Sequence, residues 1–440
     1  MDHPGDTIYA LSTGSLPSGV AVIRLSGAES IHVIERLCGT VPEPRVAALR
    51  KVKGLDGAVI DEGLALVFKG PASFTGEDCA ELQVHGGRAV VQAVLEAIGS
   101  LPGLRQATAG EFTRRAFENG KLDLVEVEGL GELIHAETEL QRRFARYLAD
   151  GHLSAVYQRW MDRLSQGRAL IEAELDFYDE DDIPGKVSDV VWGDLAALHA
   201  EMIGSLSDRT AEIVRDGYKV AIAGPPNAGK STLLNALAKR DIAIVTDIAG
   251  TTRDVLSVDI DLDGMKVQIF DTAGLRETDD AVEKIGIARA RDVIAKADLL
   301  LYLSAEAVVE AELPTDGTSR ENILVVRTKA EKNFGSAMGH DLEISALENF
   351  GLDSLVKHIS DRAAASVANG HFTTPLLSRH RNKIENAILA LSVALADTDK
   401  SLELRAEDLR VAAQCLGEIT GHVSADALLG MVFSQFCVGK

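Results

Sequence analysis

The sequence lacks any hydrophobic run long enough to cross a membrane. Its longest apolar runs fall far below the roughly 18 residues that a membrane span requires. The N-terminus, Met1–Thr7, has no basic segment followed by an apolar one, and it is not rich in Arg and Ser. We therefore expect neither a signal peptide nor a transit peptide, and no association with a membrane.

Cysteine and positive charge are also scarce. The four cysteines, Cys38, Cys79, Cys415 and Cys437, are far apart and show no paired spacing typical of zinc sites, which suits a reducing, cytoplasmic location. Lys and Arg number 45 against 67 Asp and Glu, which gives a formal net charge of −22. Because phosphate neutralisation needs cations, this charge disfavours a general nucleic-acid surface, so contact with RNA would be local, assisted by a partner, or both.

The length of 440 residues predicts two or three domains, each with its own core. Alternating apolar residues predict an α+β region up to about residue 119, with strands at 8–11, 20–24, 64–68 and 80–84 and a helix at 89–98.

Helical periodicity dominates from about 122 to 215 and returns after Pro375, whereas residues 218 to about 365 alternate strand and helix. The tail after Pro375 is short for a core of its own, so we expect it to pack on the earlier helices. The predicted fold is multidomain α/β and α: an α+β domain, a discontinuous helical domain and an inserted Ras-like α/β domain. The predicted boundaries are 1–119, 120–215, 216–372 and 373–440.

The strongest motif is Gly224-Pro-Pro-Asn-Ala-Gly-Lys-Ser231, which reads G-x-x-x-x-G-K-S between a predicted strand and a predicted helix. Glycines let the backbone N–H groups turn toward phosphate oxygens, and the start of the following helix adds positive potential. Lys230 is predicted to act catalytically on the outer phosphates, and the Ser231 hydroxyl is predicted to bind Mg²⁺.

Three further motifs follow in the order typical of a GTPase. Thr252, in Gly250-Thr-Thr-Arg-Asp254, is predicted as a second Mg²⁺ ligand, and Asp271-Thr-Ala-Gly274 is predicted to hold Mg²⁺ through water and to sense the γ-phosphate. Thr328-Lys-Ala-Glu331 occupies the place of the guanine-reading motif, and Ser345-Ala-Leu347 matches a loop that contacts the base.

Two positions depart from the usual GTPase pattern. Leu275 stands where Ras-like switches have the glutamine that orients the attacking water, so another group must catalyse hydrolysis. Glu331 stands where aspartate is usual in the guanine motif. Its carboxylate can still pair with guanine, but the additional methylene displaces it, which leaves weaker discrimination open.

The chain resembles the MnmE (TrmE) family of tRNA-modifying GTPases over nearly its full length. The resemblance rests on the phosphate loop, on Asp247-Ile-Ala-Gly-Thr-Thr-Arg-Asp254, on the block Gly110–Leu124 and on the C-terminal Phe436-Cys-Val-Gly-Lys440. The nucleotide-binding residues predicted from the motifs and the resemblance are Asn227, Ala228, Gly229, Lys230, Ser231, Thr232, Thr246, Asp247, Ile248, Ala249, Gly250, Thr251, Thr252, Asp271, Thr272, Ala273, Gly274, Thr328, Lys329, Glu331, Ser345 and Ala346.

The resemblance implies a potassium-activated GTPase whose G domains dimerise across the nucleotide. Asn227 would bind K⁺ through its side chain, and the ion would supply the positive charge of an arginine finger. The backbone carbonyls that would complete this K⁺ site are those of Thr246, Ile248 and Thr251. Glu283 matches the family's catalytic glutamate and would compensate for Leu275.

The resemblance also implies an N-terminal domain that binds 5-formyl-tetrahydrofolate in place of the donor 5,10-methylene-tetrahydrofolate. The folate-pocket residues that match are Arg24, Glu81, Lys121 and the last residue, Lys440. A carboxylate suits the amide-like edge of a pterin, and cations suit the glutamate tail. Cys437 would lie near this pocket as a nucleophile or acid, although a tail thiol that merely packs is the alternative.

The implied function is modification of C5 of the tRNA wobble uridine, driven by GTP. The family forms a homodimer, and a heterotetramer with the FAD-dependent partner MnmG (GidA). Two alternatives remain: a ribosome-assembly GTPase of the Era/Der type, which would leave the folate-type block unexplained, and a scaffold whose G domain only controls assembly. Basic helical segments around Arg142 and Arg379 fit contact with tRNA or salt-bridged helix faces equally well.

Overall fold

A computed structural model describes residues 5–176, 187–240, 242–244, 257–271, 293–306, 308, 313, 319–330, 339–368, 377–396, 401–421, 432–433, 436 and 439. The chain forms two compact units. The first comprises Met1–Gly131, Leu148–Met161 and Gln414–Lys440, and the second comprises Glu132–Tyr147 and Asp162–Ala413. Among the described helices, none combines the length and apolarity that a membrane span needs.

The first unit is built on a six-stranded sheet. Its strands are β1 (Thr7–Leu11), β2 (Ser18–Ser26), β3 (Ala48–Lys53), β4 (Val59–Phe68), β5 (Cys79–Gly86) and β6 (Leu104–Gln106). Their order is β3-β4-β5-β2-β1-β6, antiparallel except for the parallel pair β1–β6. The four strands predicted from alternation are therefore confirmed.

One face of this sheet forms a core because alternate residues of each strand point to the same side. In β2, Ala21, Ile23 and Leu25 are fully buried against helices α1 (Ser30–Cys38) and α2 (Arg88–Gly99). The intervening residues of β2, including Arg24, lie on the opposite face, where Arg24 pairs in register with Glu81 of β5. The strand pairing thus juxtaposes two of the predicted pocket residues.

The block Gly110–Leu124 contains helix α3 (Glu111–Glu118) and leads into α4 (Leu124–His135). Gly110 has a φ of 70°, and a Cβ there would lie 2.3 Å from the carbonyl oxygen of Phe433, so only glycine fits. Phe433 and Phe436 are buried with Leu124 in one cluster. These contacts anchor the described residues of the C-terminus within the first unit.

The second unit contains another six-stranded sheet. Its strands are β7 (Tyr218–Ala223), β8 (Ser257–Leu262), β9 (Met265–Asp271), β10 (Leu299–Ser304), β11 (Ile323–Arg327) and β12 (Leu342–Glu343). The order is β12-β11-β10-β7-β9-β8, and every pair is parallel except β8–β9. Asp263 and Gly264, which join β8 to β9, both have positive φ, 52° and 84°, as the tight hairpin turn favoured by an Asp-Gly dipeptide requires.

Helices complete both units. Those of the described chain not yet named are α5 (Glu139–Ala149), α6 (His152–Asp176), α7 (Val187–Ser207), α8 (Thr210–Asp216), α9 (Lys230–Ala238), α10 (Leu352–Ala368), α11 (Ser378–Ala396) and α12 (Leu402–Thr420). Within the second unit α11 packs on α7, where His199 Nε2 lies 2.7 Å from Ser392 Oγ. The Arg405 guanidinium lies 3.5 Å from the centroid of the Trp192 ring. The helices after Pro375 thus contact an earlier helix as expected, while the predicted domain boundaries stay predictions.

Candidate functional sites

The loop 224–229 follows the carboxyl end of β7, the central strand of the second sheet. A Cβ at Gly224 would lie 2.1 Å from the Leu303 carbonyl oxygen, and the φ of this residue is 144°, so the position requires glycine. Asn227 and Gly229 also have positive φ, 62° and 94°. Alternating right- and left-handed residues can direct N–H groups to the concave side of a loop, and α9 begins immediately afterwards. This backbone geometry suits the anion cradle that the motif predicts.

Lys230 lies across this loop. Its side chain is largely buried, and its Nζ donates hydrogen bonds to the carbonyl oxygens of Gly224 and Pro225, both at 2.9 Å. A primary ammonium held against the backbone of this loop is placed to contact phosphate oxygens bound there. The structure therefore supports the predicted location of the Lys230 charge.

The Ser231 hydroxyl and the Asp271 carboxylate form the candidate magnesium site. Ser231 Oγ donates to Asp271 Oδ2 at 2.7 Å, and Asp271 is fully buried at the end of β9. The parallel pairing of β7 with β9 places Asp271 opposite Ile222, two residues before Gly224. Hydroxyl and carboxylate oxygens are the hard ligands that Mg²⁺ prefers, so these residues fit the metal.

A small cavity lies between the loop and the end of β11. Its walls bring together residues of three predicted motifs and two apolar residues, Leu233 and Ile344, that were not predicted. The lining residues are Gly229, Thr232, Leu233, Thr328, Lys329, Ile344, Ser345, Ala346 and Leu347. The Thr328 Oγ1 is buried and has no hydrogen-bond partner within the described residues. Since an unpaired buried hydroxyl is costly, this atom fits a ligand with polar edges, as guanine has.

The end of β11 is held by an ion pair that the sequence did not indicate. Arg327 is buried, and its Nη1 lies 2.9 Å from Glu343 Oε1 on β12. The two residues are partners in the parallel register of β11 and β12. Arg327 thus fixes the strand from which Thr328 and Lys329 emerge, and Lys329 itself has a φ of 57°.

Several predicted residues lie outside the described part of the chain. They are Thr246, Asp247, Ile248, Ala249, Gly250, Thr251, Thr252, Thr272, Ala273, Gly274, Glu283, Glu331, Cys437 and Lys440. The K⁺ assignment therefore has one described member, the exposed Asn227. The roles of all these residues stay predictions.

A second cavity, of about 430 Å³, lies in the first unit. It is lined by the predicted residues Arg24, Glu81 and Lys121, which come from two strands and the segment after α3. Its other lining residues were not predicted: Arg45, Phe68, Ala72, Ser73, Phe74, Thr75 and Cys79. The structure thus brings the three described residues that were predicted for a folate pocket into one cavity.

Arg24 and Glu81 interact with each other in this cavity. Arg24 Nε lies 3.1 Å from Glu81 Oε1. The Arg24 guanidinium carbon also lies 5.8 Å and 5.9 Å from the ring centroids of Phe74 and Phe112. Both side chains are partly buried, so this pair orients Arg24 and uses one oxygen of Glu81, a constraint that motif matching could not show.

The segment that forms one wall of the cavity is fixed by α3. Arg115 Nη1 lies 2.9 Å from Glu77 Oε2, and Arg115 Nη2 lies 3.2 Å from Glu111 Oε1, which also contacts Arg105 Nη2 at 2.6 Å. Burial by itself would raise the pKa of Glu111, but hydrogen bonds from Arg105 and the Thr108 N–H outweigh it and lower the pKa to about 2. The i, i+4 spacing of Glu111 and Arg115 was the available sequence signal.

The second sheet, the phosphate loop and the Ser231–Asp271 pair define a P-loop GTPase. Sequence profiles match two regions: "GTP-binding protein TrmE N-terminus" over residues 7–121 and "MnmE helical domain" over residues 124–437. A tRNA modification GTPase MnmE from Rhizobium meliloti (strain 1021) is 54% identical over 444 residues, covering 99% of each chain.

The protein of the same name from Agrobacterium fabrum is 49% identical over 451 residues and covers 100% of both chains. The chain belongs to the MnmE family of tRNA modification GTPases. It is a multidomain GTPase of tRNA modification.

Proposed function

We propose that this chain is a potassium-activated GTPase that modifies C5 of the wobble uridine, position 34, of certain tRNAs. With the FAD-dependent partner MnmG (GidA), it would add a carboxymethylaminomethyl or aminomethyl group. The observation that carries the proposal is the presence of two distinct built sites, a phosphate loop and a cationic cavity, in a chain of this family. A simple GTPase switch needs only the first of these sites.

GTP hydrolysis in the second unit would depend on charge rather than on a protein base at position 275. Lys230 would stabilise the outer phosphates, and Asn227 would hold K⁺ where charge develops on the phosphates. Glu283 would orient the attacking water. Closure of paired G domains, followed by their reopening, would drive the conformational step.

The cavity of the first unit would bind 5,10-methylene-tetrahydrofolate, for which 5-formyl-tetrahydrofolate is a stable analogue. Glu81 retains one carboxylate oxygen beyond its contact with Arg24 for the pterin edge, and Lys121 supplies a cation. Cys437 would act on the uridine as a nucleophile or acid, and Lys440 would reach the same cavity.

The proposed assembly is a homodimer that joins two partner chains into a heterotetramer in the cytoplasm. The first sheet supports self-association because its exposed face carries apolar residues such as Val20 and Leu49, which are 55% and 61% exposed. tRNA would contact local basic segments, since the net charge of −22 disfavours a broad RNA surface.

Mass spectrometry of tRNA wobble nucleosides tests the main proposal. A strain that lacks this gene should lose the C5-modified uridine, and a plasmid carrying the wild-type gene should restore it. A Cys437→Ser chain that hydrolyses GTP normally should fail to restore it. Unchanged nucleosides in the deletion strain would favour an Era/Der-type switch instead.

The potassium requirement is tested by GTP turnover in KCl and NaCl at equal ionic strength. We expect turnover to be at least about tenfold faster in KCl, because K⁺ would stabilise developing charge as an arginine finger does. Asn227→Ala should abolish the difference between the salts. Equal rates for the wild-type protein in both salts would contradict the proposal.

A further inference from the structure

Two cations converge at the mouth of the cavity in the first unit. The Arg45 Nη2 donates to the carbonyl oxygen of Ala72, and the Lys121 Nζ donates to the carbonyl oxygen of Pro71 at 3.0 Å. These carbonyls belong to consecutive residues, so the two positive charges are close together although Arg45 and Lys121 are distant in sequence. Both side chains line the cavity.

Neither cation is neutralised by a carboxylate in the described part of the chain. Their hydrogen-bond acceptors are backbone carbonyls, whereas Arg24, the third cation of the cavity, has Glu81 as its ion-pair partner. Two like charges that share one edge repel each other, and an anion between them would relieve this repulsion. The mouth of the cavity is therefore electrostatically suited to an acidic group.

Arg45 is held in place at a conformational cost. Its φ is 66°, a left-handed value that is uncommon for arginine, and its N–H donates to the Val67 carbonyl oxygen at 2.9 Å. The guanidinium carbon lies 5.8 Å from the centroid of the Phe68 ring. Strained residues that their surroundings fix in this way are concentrated at ligand sites.

The cavity behind these cations has aromatic walls. Phe68 and Phe74 both line it, and Phe74 is 41% exposed. Partly exposed aromatic rings offer flat apolar surface to a planar ligand. The cavity thus fits a molecule that carries both a flat conjugated ring system and carboxylates.

We propose that Arg45 and Lys121 form a carboxylate site that binds the acidic tail of the ligand and favours tails with several carboxylates. The guanidinium can bind a carboxylate through two parallel hydrogen bonds, and the ammonium adds a point charge beside it. This inference rests on the proposed folate function of the same cavity. It makes Arg45 a determinant of preference for polyglutamylated over monoglutamylated folate.

Calorimetric titration of the full-length protein with 5-formyl-tetrahydrofolate and its triglutamate form tests the inference. The wild-type protein should bind the triglutamate about tenfold more tightly, and the advantage should shrink as KCl is raised, because exposed charges are screened by salt. Arg45→Asn is the informative variant, since asparagine tolerates a positive φ and removes the charge. It should lose most of the preference for the triglutamate, and its affinity for the monoglutamate, whose tail carries fewer carboxylates, should fall by a smaller factor.

Two further variants complete the test. Lys121→Gln should also reduce the advantage, and the double variant should lose less than the product of the two single effects, since both cations bind the same group. Arg50→Gln is the matched control, because Arg50 lies in the same unit, does not line the cavity and bonds to the Thr40 carbonyl. It should behave as the wild type does.

The outcomes separate the two proposals. Equal affinity of the wild type for both ligands, or an unchanged triglutamate advantage in Arg45→Asn, would overturn the carboxylate site alone. Failure of the wild type to bind either ligand would overturn the folate assignment, and the carboxylate site with it. Circular dichroism spectra that match the wild type would show that Arg45→Asn is folded.

Discussion

The two candidate sites of this protein are built in opposite ways. The phosphate site comes from one continuous segment, Gly224–Ser231, and its groups are mainly backbone N–H donors at the end of one strand. The cavity of the first unit is assembled from side chains between Arg24 and Lys121, and its wall is fixed by ion pairs from α3. One site is local in sequence, and the other is distributed.

This difference determines how each site can fail. A backbone cradle tolerates many changes around it but depends on the few side chains that add charge or bind the metal. A cavity of side chains depends also on residues that never touch the ligand, because they hold the walls. Substitutions in the two regions should therefore differ in what they disturb as well as in how strongly they act.

The largest effect is expected from Lys230→Ala, which removes the charge over the phosphate loop. Loss of a single preorganised electrostatic contact typically costs about 100- to 1,000-fold in turnover. GTP turnover should fall by at least this factor, as measured by phosphate release. Because the first unit is untouched, binding of 5-formyl-tetrahydrofolate should be unchanged.

Lys239→Ala provides the control for that change. Lys239 directly follows α9 and lies outside the cavity beside the phosphate loop, so its loss should leave turnover near the wild-type value. A Lys230→Ala protein that hydrolyses GTP within threefold of the wild-type rate would mean that the loop backbone alone supplies catalysis. The claim that the phosphate site depends on its cationic side chain would then be wrong.

An intermediate effect is expected from Glu111→Gln, which breaks the ion-pair network without touching the cavity. Removal of one partner of a buried ion pair costs about 3–5 kcal/mol, and we expect about 3 kcal/mol in the local stability of α3 at pH 7. Hydrogen exchange of peptides from Glu111–Glu118 as a function of urea measures this value. Folate binding should weaken too, because Arg115 and the wall segment lose their anchor.

The pH dependence has a definite sign. The pKa of Glu111 is about 2 in the folded protein, below its ordinary value of 4.5, so its stabilising contribution is complete above about pH 4.5. This contribution is lost as the pH falls toward 2. The difference in the local stability of α3 between Glu111→Gln and the wild type should therefore become smaller over this range. Glu118→Gln removes an exposed ion pair with Arg114 on the same helix. It should change the local stability of α3 little at any pH.

The contrast between local and distributed features also explains what the sequence could predict. The Asp263-Gly264 hairpin and the strands of the second sheet were predictable because each depends on neighbouring residues. Helix α1 was also within reach, since Val33, Ile34 and Leu37 show helical spacing and are buried. Strand β3 could not be predicted, because Val52 is its one buried residue and the sequence of Ala48–Lys53 does not alternate apolar and polar residues.

Long-range contacts could not be predicted from the sequence for a different reason. The Arg24–Glu81 pair arises from the register of β2 with β5, and Arg45 reaches the cavity through a loop between α1 and β3. No periodic pattern in the sequence indicates that these distant residues come together. The three described pocket residues were predicted through the family resemblance, whereas Arg45 and the aromatic walls required the structure.

The smallest effect is expected from Glu331→Asp, which restores the usual carboxylate of the guanine motif. Thr328 and Lys329, from the same motif, line the small cavity with the phosphate loop, so a carboxylate two residues later is expected to face the base. Shortening this side chain by one methylene should improve its alignment with guanine and tighten GTP by less than tenfold, or about 1.4 kcal/mol. Affinity for ITP, which lacks the exocyclic amine, should change less.

Competition binding with GTP and ITP measures both affinities, and Glu348→Asp in the neighbouring loop serves as the control. Equal changes for GTP and ITP would show that Glu331 does not read the amine, and the local motif would then extend only as far as Lys329.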